Sequence, residues 1–520
     1  MKVLLVYPEF PDTFWSFKHA LPFEGKRSAF PPLGLLTVSA MLPLHWERRL
    51  VDLNVCRLKE SDLAWADVVF LSGMIVQGPS IKKQIARAKC RGVRTVVGGP
   101  IVSAKDPAIA EADHTVEGEA EEIIPQLAAD LERGEAQCYY FKKQWPDVTQ
   151  VPLPQLHLAP LRRYSSMSLQ YSRGCPFTCE FCDIIEIYGR RPRTKTPDQV
   201  CAELDQLRRL GWRGSVFMVD DNFIGNKTKV KLLLARLVEW MRQHKSPFTL
   251  YTEASLNLAE DEDLLRLMRE ANFKRVFMGI ETPVAESLKE TTKFQNLRKD
   301  LLESVKLVQS YGIEVMAGFI VGFDNDPADV FDRQIQFIRE AAIPLSMVGL
   351  LTALPHTQLW RRLKGEGRLL KESLGSNTLL DLNFIPKMDA EQLIEGYRRI
   401  LRTIYNPQEY FQRASACLSQ LGATAKTPVV FSDLMAVARS LWRQGFLADY
   451  RREYWKFIGQ AVRCHSQHLH EVFTLAIMGH HFFQLAGAAE FSQHQPDLFR
   501  RAFVPGERTN LDEYSTSKAN

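Results

Sequence analysis

The sequence predicts an α/β protein in which a doubly wound, Rossmann-like N-terminal domain precedes a partial (β/α)6 TIM barrel and an α-helical C-terminal domain. Three observations predict it. The chain of 520 residues is too long for one hydrophobic core, two series of short Val- and Leu-rich strands alternate with helical stretches, and the strand pattern stops after Pro386. We expect an N-terminal domain at 1–145, a linker at 146–164, the barrel at 165–385, the helical domain at 386–507 and a disordered tail at 508–520.

The composition excludes several classes of protein. Hydrophobic residues make up 45% and charged residues 24% of the chain, which is ordinary for a globular protein. The 66 basic and 61 acidic residues leave a net charge of +5, too small for a general nucleic-acid binder. The N-terminus lacks the features of a signal peptide, and no apolar run reaches the ~18 residues of a spanning helix. We expect a cytoplasmic protein with no nucleic-acid partner and no transmembrane segment, and peripheral membrane contact stays open.

The N-terminal series predicts a parallel sheet with a ligand site at one edge. Ligands of such sheets bind beyond the carboxyl ends of the strands. The predicted strands are Lys2–Tyr7, Arg48–Leu53, Asp67–Gly73, Arg94–Gly99 and His114–Glu119, with helices at Leu33–Leu42 and Ser80–Arg91. Small or polar residues occupy the strand ends, and the candidates there are Asp52, Asn54, Ser72, Gly73, Met74, Gly98, Gly99, Pro100, Glu117, Gly118 and Glu119. Ordinary turn chemistry explains any one of these ends, but the full set favours a ligand site.

The second series predicts six βα units, fewer than the eight of a complete barrel. Its strands are predicted at Ser166–Ser172, Ser215–Asp220, Thr249–Ala254, Arg275–Glu281, Glu314–Val321 and Ser346–Leu354. Helical periods fill the gaps, as at Pro197–Leu210 and Asp261–Ala271. Beyond the barrel, Asp389 with Gln392 three residues later indicates the start of a helix.

Three of the nine cysteines lie within eight residues at the end of the first barrel strand. Cys175, Cys179 and Cys182 have the spacing Cys-x3-Cys-x2-Cys. Three thiolates suit a four-iron cluster that keeps one iron open for a ligand. Zinc prefers four ligands, and no fourth cysteine or histidine lies nearby in the sequence. A zinc knuckle with a distant fourth ligand, or three buried thiols, remain the alternatives.

The motif Cys-x3-Cys-x-Phe-Cys resembles that of the radical S-adenosylmethionine (SAM) superfamily. The resemblance implies that Cys175, Cys179 and Cys182 bind a [4Fe-4S] cluster. It further implies contacts to SAM by matching positions: Phe181 beside the cluster and adenine, Asp220 and Asp221 at the methionyl amino group, Glu253, Ser255 and Asn257 at the ribose, and Gly318 and Ile320 along the adenine. Helix capping also explains one of the two aspartates.

The domain order resembles the cobalamin-binding class of that superfamily, and the helical extension is similar to that of the hopanoid C-2 methylase group. The resemblance implies that Ser72–Met74 and Gly98–Pro100 line the corrin ring. Many cobalamin domains supply a histidine to cobalt from an Asp-x-His-x2-Gly motif. The loop Asp52–Cys56 contains no histidine, so we expect the lower face of cobalt to lack one.

The resemblance implies a C-methyltransferase that acts on an unactivated sp3 carbon of a small apolar metabolite. A 5′-deoxyadenosyl radical would activate the substrate and methylcobalamin would supply the methyl group. An electron donor such as flavodoxin or ferredoxin would reduce the cluster. Two alternatives stay open: an enzyme with the same cofactors but no methyl transfer, such as an oxidative cyclase or a rearrangement enzyme, and a non-catalytic cobalamin- or zinc-binding regulator.

Two sets of residues in the chain are predicted to have no functional role. The histidines from His465 to His470, with His480 and His481, are interpreted as surface residues, because no nearby carboxylate beyond Glu471 completes a metal site; metal binding by His-x2-His on a helix is the alternative. The tryptophans Trp360, Trp442 and Trp455 are interpreted as core residues, with stacking on a substrate as the alternative.

Overall fold

The computed structural model describes residues 1–142, 144–376, 378, 380–423 and 431–491. Its N-terminal domain is a six-stranded parallel sheet in the order β2-β1-β3-β4-β5-β6. The strands are β1 Lys2–Tyr7, β2 Glu47–Asp52, β3 Val68–Ser72, β4 Arg94–Gly98, β5 His114–Glu117 and β6 Tyr139–Phe141. The five predicted strands are confirmed, and β6 is an additional edge strand of three residues. The predicted tail at 508–520 lies outside the described residues.

Helices cover both faces of this sheet, which is why its strands are apolar on both sides. They are α1 Leu21–Glu24, α2 Leu33–Met41, α3 Glu60–Trp65, α4 Gly78–Lys89, α5 Pro100–Ser103 and α6 Ile124–Arg133. Along β1, Val3 and Leu5 belong to one hydrophobic cluster, whereas Leu4 and Val6 belong to the cluster on the opposite face. Because all the strands of this sheet are parallel, their carboxyl ends meet at one edge.

The central domain is an incomplete parallel barrel, as predicted. Six strands pair in the order β14-β13-β12-β11-β10-β7. They are β7 Ser166–Leu169, β10 Gly214–Met218, β11 Phe248–Glu253, β12 Phe273–Glu281, β13 Glu314–Val321 and β14 Ser346–Leu350. The surrounding helices are α7 Ile184–Ile187, α8 Pro197–Arg209, α9 Lys227–Gln243, α10 Glu262–Glu270, α11 Ala285–Glu290, α12 Leu301–Ser310, α13 Val330–Glu340 and α14 Gln358–Gly365. A two-stranded hairpin, β8 Ser172–Arg173 and β9 Arg193–Thr194, lies after β7 and encloses the cysteine motif.

The C-terminal region is helical. Its helices are α15 Ala390–Ile404, α16 Pro407–Gln420, α17 Phe431–Trp442, α18 Arg451–Cys464 and α19 Leu469–Phe491, with a π-helical turn at Arg443–Leu447. The Asp389 side chain accepts the backbone N–H of Gln392 at 2.9 Å, which confirms the predicted helix start. Among the described residues, no helix is long and apolar enough to cross a membrane.

Two interpretations of the sequence are wrong for some of their residues, although His470 is exposed as expected. Trp442 and Trp455 are exposed rather than in the core, because α17 and α18 direct one face away from the other helices. The side chains of His465, His468 and His481 are buried rather than on the surface. His481 lies under the N-terminal segment that precedes α1, where a ring nitrogen lies 3.1 Å from the carbonyl oxygen of Phe14.

Ion pairs join the strand-end edge of the N-terminal domain to the barrel. Glu119 follows β5, and its carboxylate, only 3% exposed, contacts both Arg173 at 2.5 Å and Arg193. Arg173 also pairs with Glu121 at 2.7 Å. Because Arg173 lies in β8, this network holds the N-terminal edge directly over the cysteine motif.

We predict that Glu119→Gln lowers the free energy of unfolding by about 3–5 kcal/mol, because it leaves two buried guanidinium groups with too few carboxylates. Urea denaturation followed by circular dichroism measures this change. The matched control is Glu111→Gln, which removes an exposed pair with Lys89 at 3.3 Å and should cost less than about 1 kcal/mol. Equal losses in the two variants would contradict the prediction.

Candidate functional site

The cysteine motif forms a loop at the mouth of the barrel, between β8 and β9. The loop starts at Gly174, whose φ of +90° favours glycine, and a Cβ there would lie 2.8 Å from the carbonyl oxygen of Gly189. Cys175, Cys179 and Cys182 are free thiols of intermediate exposure. Within the described ranges no three histidine, cysteine or carboxylate side chains converge on a point that would hold one metal ion. A cluster differs from a single ion because it binds thiolates at separate corners, and the loop leaves all three thiols available.

Polar groups surround the sulfur atoms. Asn222 Nδ2 lies 3.7 Å from Cys175 Sγ, and Gln295 Nε2 lies 3.6 Å from Cys179 Sγ. Burial raises the pKa of the Cys175 thiol and raises that of Cys182 further. Amide donors stabilise negative charge on sulfur, so these contacts suit thiolates bound to a metal cluster.

A buried ion pair lies beside the motif and was not predicted from the sequence. The ammonium of Lys293 pairs with the carboxylate of Glu281 and lies 5.8 Å from the centre of the Phe181 ring. Lys293 and Gln295 follow α11 in a segment without a recognisable motif. Only their position in space, beside Cys179, connects them to the site.

The structure gives different environments to Asp220 and Asp221, to which the sequence analysis assigned the same role. Asp220 follows β10, and its carboxylate accepts the backbone N–H groups of Tyr171, at 3.1 Å, and Ser172. These bonds hold the chain between β7 and β8, so Asp220 positions the start of the cysteine loop. Burial raises its pKa to about 6.

Asp221 and Glu253 have no hydrogen-bond donor from a side chain among the described residues, although both are half-buried. Burial and the nearby Asp220 raise the pKa of Asp221 to about 7. Burial and the charge of Asp221 raise the pKa of Glu253 to about 8. A cationic ligand would relieve both effects, so this pair fits an ammonium group such as the amino group of SAM.

Two of the three predicted ribose residues, Ser255 and Asn257, form a connected polar group after β11, whereas the third, Glu253, lies beside Asp221 instead. The hydroxyl of Ser255 donates to Asn257 Oδ1 at 2.6 Å, and Asn222 Nδ2 donates to Ser255 Oγ at 3.1 Å. Asn222 therefore links this group to Cys175. Hydroxyl and amide groups in this arrangement fit the hydroxyls of a sugar.

Phe181 and Ile320 lie in one apolar cluster with Phe323, and the rings of Phe181 and Phe323 have centroids 6.2 Å apart. Gly318 lies two residues before Ile320 on β13, where a Cβ would lie 2.9 Å from the Phe277 ring. The barrel mouth thus has an apolar wall beside the cysteine loop, which fits the flat face of an adenine ring.

At the N-terminal edge, the strand ends of β3 and β4 approach closely. Gly99 has a φ of +90°, and a Cβ there would lie 2.8 Å from both the Gly73 carbonyl oxygen and Ser72 Oγ. Met74 directly follows Gly73 and is 52% exposed. Gly98 and Pro100 flank Gly99, and Pro100 begins α5. Small residues and one exposed apolar side chain leave a surface that fits a large flat ligand.

Other predicted residues of this edge have internal partners. Asp52 is buried and accepts the Tyr164 hydroxyl at 2.9 Å and Asn54 Nδ2 at 2.8 Å. Glu117 accepts the Tyr139 hydroxyl at 2.5 Å, and Gly118 follows with a φ of +91°. Together with the paired Glu119, these residues hold the edge in shape rather than offering free polar groups. Neither the loop after β1, Pro8–Thr13, nor the loop after β2, Leu53–Lys59, contains a histidine.

Three family models match successive parts of the chain. The B12 binding domain matches residues 27–128, the radical SAM superfamily matches 169–338, and a domain of unknown function, DUF4070, matches 357–494. The first match ends at residue 128 and the second begins at residue 169. The first lies within the N-terminal sheet domain, without β1 and β6, and the second covers the barrel from the last residue of β7 into α13.

Curated relatives are similar over nearly the whole chain. An uncharacterised methyltransferase of Synechocystis sp. is 45% identical over 492 residues, which are 93% of this chain and 92% of that protein. The hopanoid C-2 methylase of Rhodopseudomonas palustris is 36% identical over 526 residues, 97% of this chain and 98% of that protein.

Solved structures share the fold. A radical SAM methyltransferase from Kitasatospora setae, with cobalamin and a [4Fe-4S] cluster bound, has a TM-score of 0.60 at 14% identity and covers 94% of this chain and 99% of its own. A cobalamin-dependent SAM radical enzyme, OxsB, has a TM-score of 0.60 at 16% identity and covers 97% of this chain and 82% of its own. The chain therefore belongs to the cobalamin-dependent radical SAM methyltransferases, the family of the hopanoid C-2 methylase, whose cofactors are a [4Fe-4S] cluster, SAM and cobalamin.

Proposed function

We propose that this methyltransferase transfers a methyl group to an unactivated sp3 carbon of a small apolar metabolite. The observation that carries the proposal is the network of Glu119, Arg173 and Arg193, which holds the B12-binding edge over the cysteine loop. Methyl transfer to a substrate radical needs both cofactors at one substrate, and this arrangement supports a shared cleft. The bound cofactors supply a 5′-deoxyadenosyl radical and a transferable methyl group.

The protein's own residues bind and orient these groups. Cys175, Cys179 and Cys182 hold the cluster, and Asp221 with Glu253 receives the amino group of SAM. Asn222, Ser255 and Asn257 hold the ribose, while Phe181, Gly318 and Ile320 contact the adenine. On the opposite side, Ser72–Met74 and Gly98–Pro100 line the corrin, and Asp52, Asn54, Glu117, Gly118 and Glu119 hold those strand ends in place.

The apolar character of the substrate rests on the side chains offered at the cleft. Met74 is half exposed at the B12-binding edge, and Phe181 forms part of the apolar wall of the barrel mouth. These side chains exclude water from a radical, which would otherwise be lost to side reactions.

We place the protein in the cytoplasm, with a flavodoxin or a ferredoxin as its electron donor. All nine cysteines are free thiols, which is usual in a reducing compartment. A cluster that must be reduced for each turnover also needs a low-potential donor, and these two small proteins supply such electrons.

Asp221→Asn and Asp220→Asn should have different effects. Asp221→Asn removes a charge from the ammonium site, so SAM affinity should fall about tenfold or more while stability is kept. Asp220→Asn places an amide donor against backbone N–H groups, so the free energy of unfolding should fall by about 1–3 kcal/mol. Equilibrium dialysis of the reconstituted protein and urea denaturation separate the two. Identical behaviour of both variants would refute the assignment.

The ligand-free protein should lose stability as the pH rises from 6 to 8. The folded pKa of Glu253, about 8, lies above its ordinary value, so the folded chain binds more protons than the unfolded chain in this window. Glu253→Gln should make the decrease shallower, as measured by urea denaturation at several pH values. The exposed Glu239→Gln variant should follow the wild type. A Glu253→Gln slope equal to that of the wild type would rule out the raised pKa.

Labelled SAM tests the reaction itself. The reconstituted protein, incubated without oxygen with methyl-labelled SAM, a reductant and an apolar extract of its host, should transfer the label to an apolar product. Cys179→Ala should form neither the product nor 5′-deoxyadenosine. Formation of 5′-deoxyadenosine by the wild type with a modified but unlabelled product would instead establish chemistry without methyl transfer.

A further inference from the structure

One surface of the helical domain exposes large apolar side chains far from the cysteine loop in the sequence. Trp442 is 60% exposed, Phe446 61%, Leu447 62% and Trp455 43%. The ring centroids of Trp442 and Phe446 lie 5.7 Å apart, and those of Phe446 and Trp455 lie 6.3 Å apart. These four side chains, here named the aromatic face, form one contiguous patch.

The backbone fixes the aromatic face. Between α17 and α18 the chain forms the π-helical turn Arg443–Leu447, a conformation that is rare and concentrated at functional sites. Trp455 packs on Gly445, where a Cβ would lie 2.8 Å from the indole, and its Nε1 donates to the Gly445 carbonyl oxygen at 2.8 Å. These contacts fix the orientation of the indole. Its N–H group is hydrogen-bonded, and the apolar part of the ring faces outward.

The face continues along both helices. On α17, Leu434 and Ala438 are exposed at helical spacing from Trp442. On α18, Val462 is exposed seven residues after Trp455. Residues four and seven apart lie on one side of a helix, so each helix contributes an apolar stripe.

Positively charged residues lie in the same segment as the aromatic face. The segment 443–463 carries five basic side chains and only two acidic ones, Asp449 and Glu453. The basic residues are Arg443, Arg451, Arg452, Lys456 and Arg463, and all five are exposed. Within the described part of the chain none of the five forms an ion pair, unlike the arginines at the barrel mouth.

A cavity of about 620 Å³ adjoins the same turn. Arg443 and Leu447 belong both to its lining and to the turn that carries the aromatic face. Tyr405 and Phe483 also line the cavity, as does Arg402. Asp449 lines it too, and Arg402 pairs with Glu395 at 3.1 Å, so Arg443 is the cation that adjoins both the cavity and the exposed apolar patch.

We propose that the aromatic face docks this protein on the surface of an anionic lipid bilayer. Tryptophan and phenylalanine enter the headgroup region of a bilayer, while arginine and lysine contact lipid phosphates. A second copy of the chain would bring the same unpaired cations against this face, and like charges oppose such pairing. The cavity beside the turn is sized for part of a lipid whose phosphate is held by Arg443. This inference is independent of the methylated substrate.

Vesicle sedimentation of the full-length protein tests the proposal. Vesicles of phosphatidylcholine with phosphatidylglycerol should bind the protein at least about tenfold more strongly than phosphatidylcholine alone, and added salt should weaken this binding. Trp442→Ser with Phe446→Ser should lower the partition coefficient at least about tenfold. Arg451→Glu with Arg452→Glu should remove the preference for anionic vesicles.

Matched controls lie on the N-terminal domain. Leu44→Ser replaces an almost fully exposed leucine, and Lys82→Glu with Lys83→Glu reverses two exposed cations of α4. Both should bind vesicles like the wild type. Absence of binding to anionic vesicles, or equal losses in the control variants, would overturn the proposal. So would a wild-type dimer in light scattering that the Trp442→Ser, Phe446→Ser variant converts to a monomer.

A second measurement uses the wild-type protein and conservative, aromatic replacements at the face. Brominated phospholipids in anionic vesicles should quench the wild-type tryptophan fluorescence, because Trp442 and Trp455 would lie in the headgroup region. Conservative replacement by phenylalanine at both positions should abolish the quenching, whereas Trp360→Phe should not. Quenching that persists in the double variant would place the bilayer at another surface.

Discussion

The buried contact of Glu119 with Arg173 and Arg193 is the constraint on which the arrangement of the site depends. Two of the partners stand next to glycines with positive φ: Gly118 lies at the strand-end edge of the N-terminal domain, and Gly174 starts the cysteine loop. Burying such an ion pair costs free energy because both groups lose their contact with water. Removing only one partner costs more, because it leaves a buried charge without a counter-charge. The network therefore selects one relative position of the two domains, with their ligand edges facing.

The carboxylates at the barrel mouth fit the cationic ligand that we propose for this site. Asp220 has its backbone donors, whereas Asp221 and Glu253 repel one another without a cation between them. Buried carboxylates with raised pKa values are common where a site holds a charged group. Lys293 and Glu281 form the complementary, internally neutral pair on the cysteine side. The amino group of SAM would supply the positive charge that Asp221 and Glu253 lack.

Local sequence patterns predicted the fold well, but contacts between residues distant in the sequence could not be predicted from them. The buried run of β13 and the Asp389 helix start were visible because each depends on neighbouring residues. Gln295 contacts Cys179 only because the barrel brings the two segments together, and no spacing in the sequence reveals this contact. The exposure of Trp442 was missed for a related reason: an amphipathic helix has the same pattern whether its apolar face meets a core or remains uncovered.

We propose that the cluster and cobalamin share one cleft. Electron paramagnetic resonance of the protein loaded with cob(II)alamin and a reduced [4Fe-4S] cluster tests it most directly, since both centres are paramagnetic. In a shared cleft, the two signals should broaden or split through spin coupling when both centres are present, and sharpen when either is left out. Two signals that simply add, unchanged by one another, would contradict it.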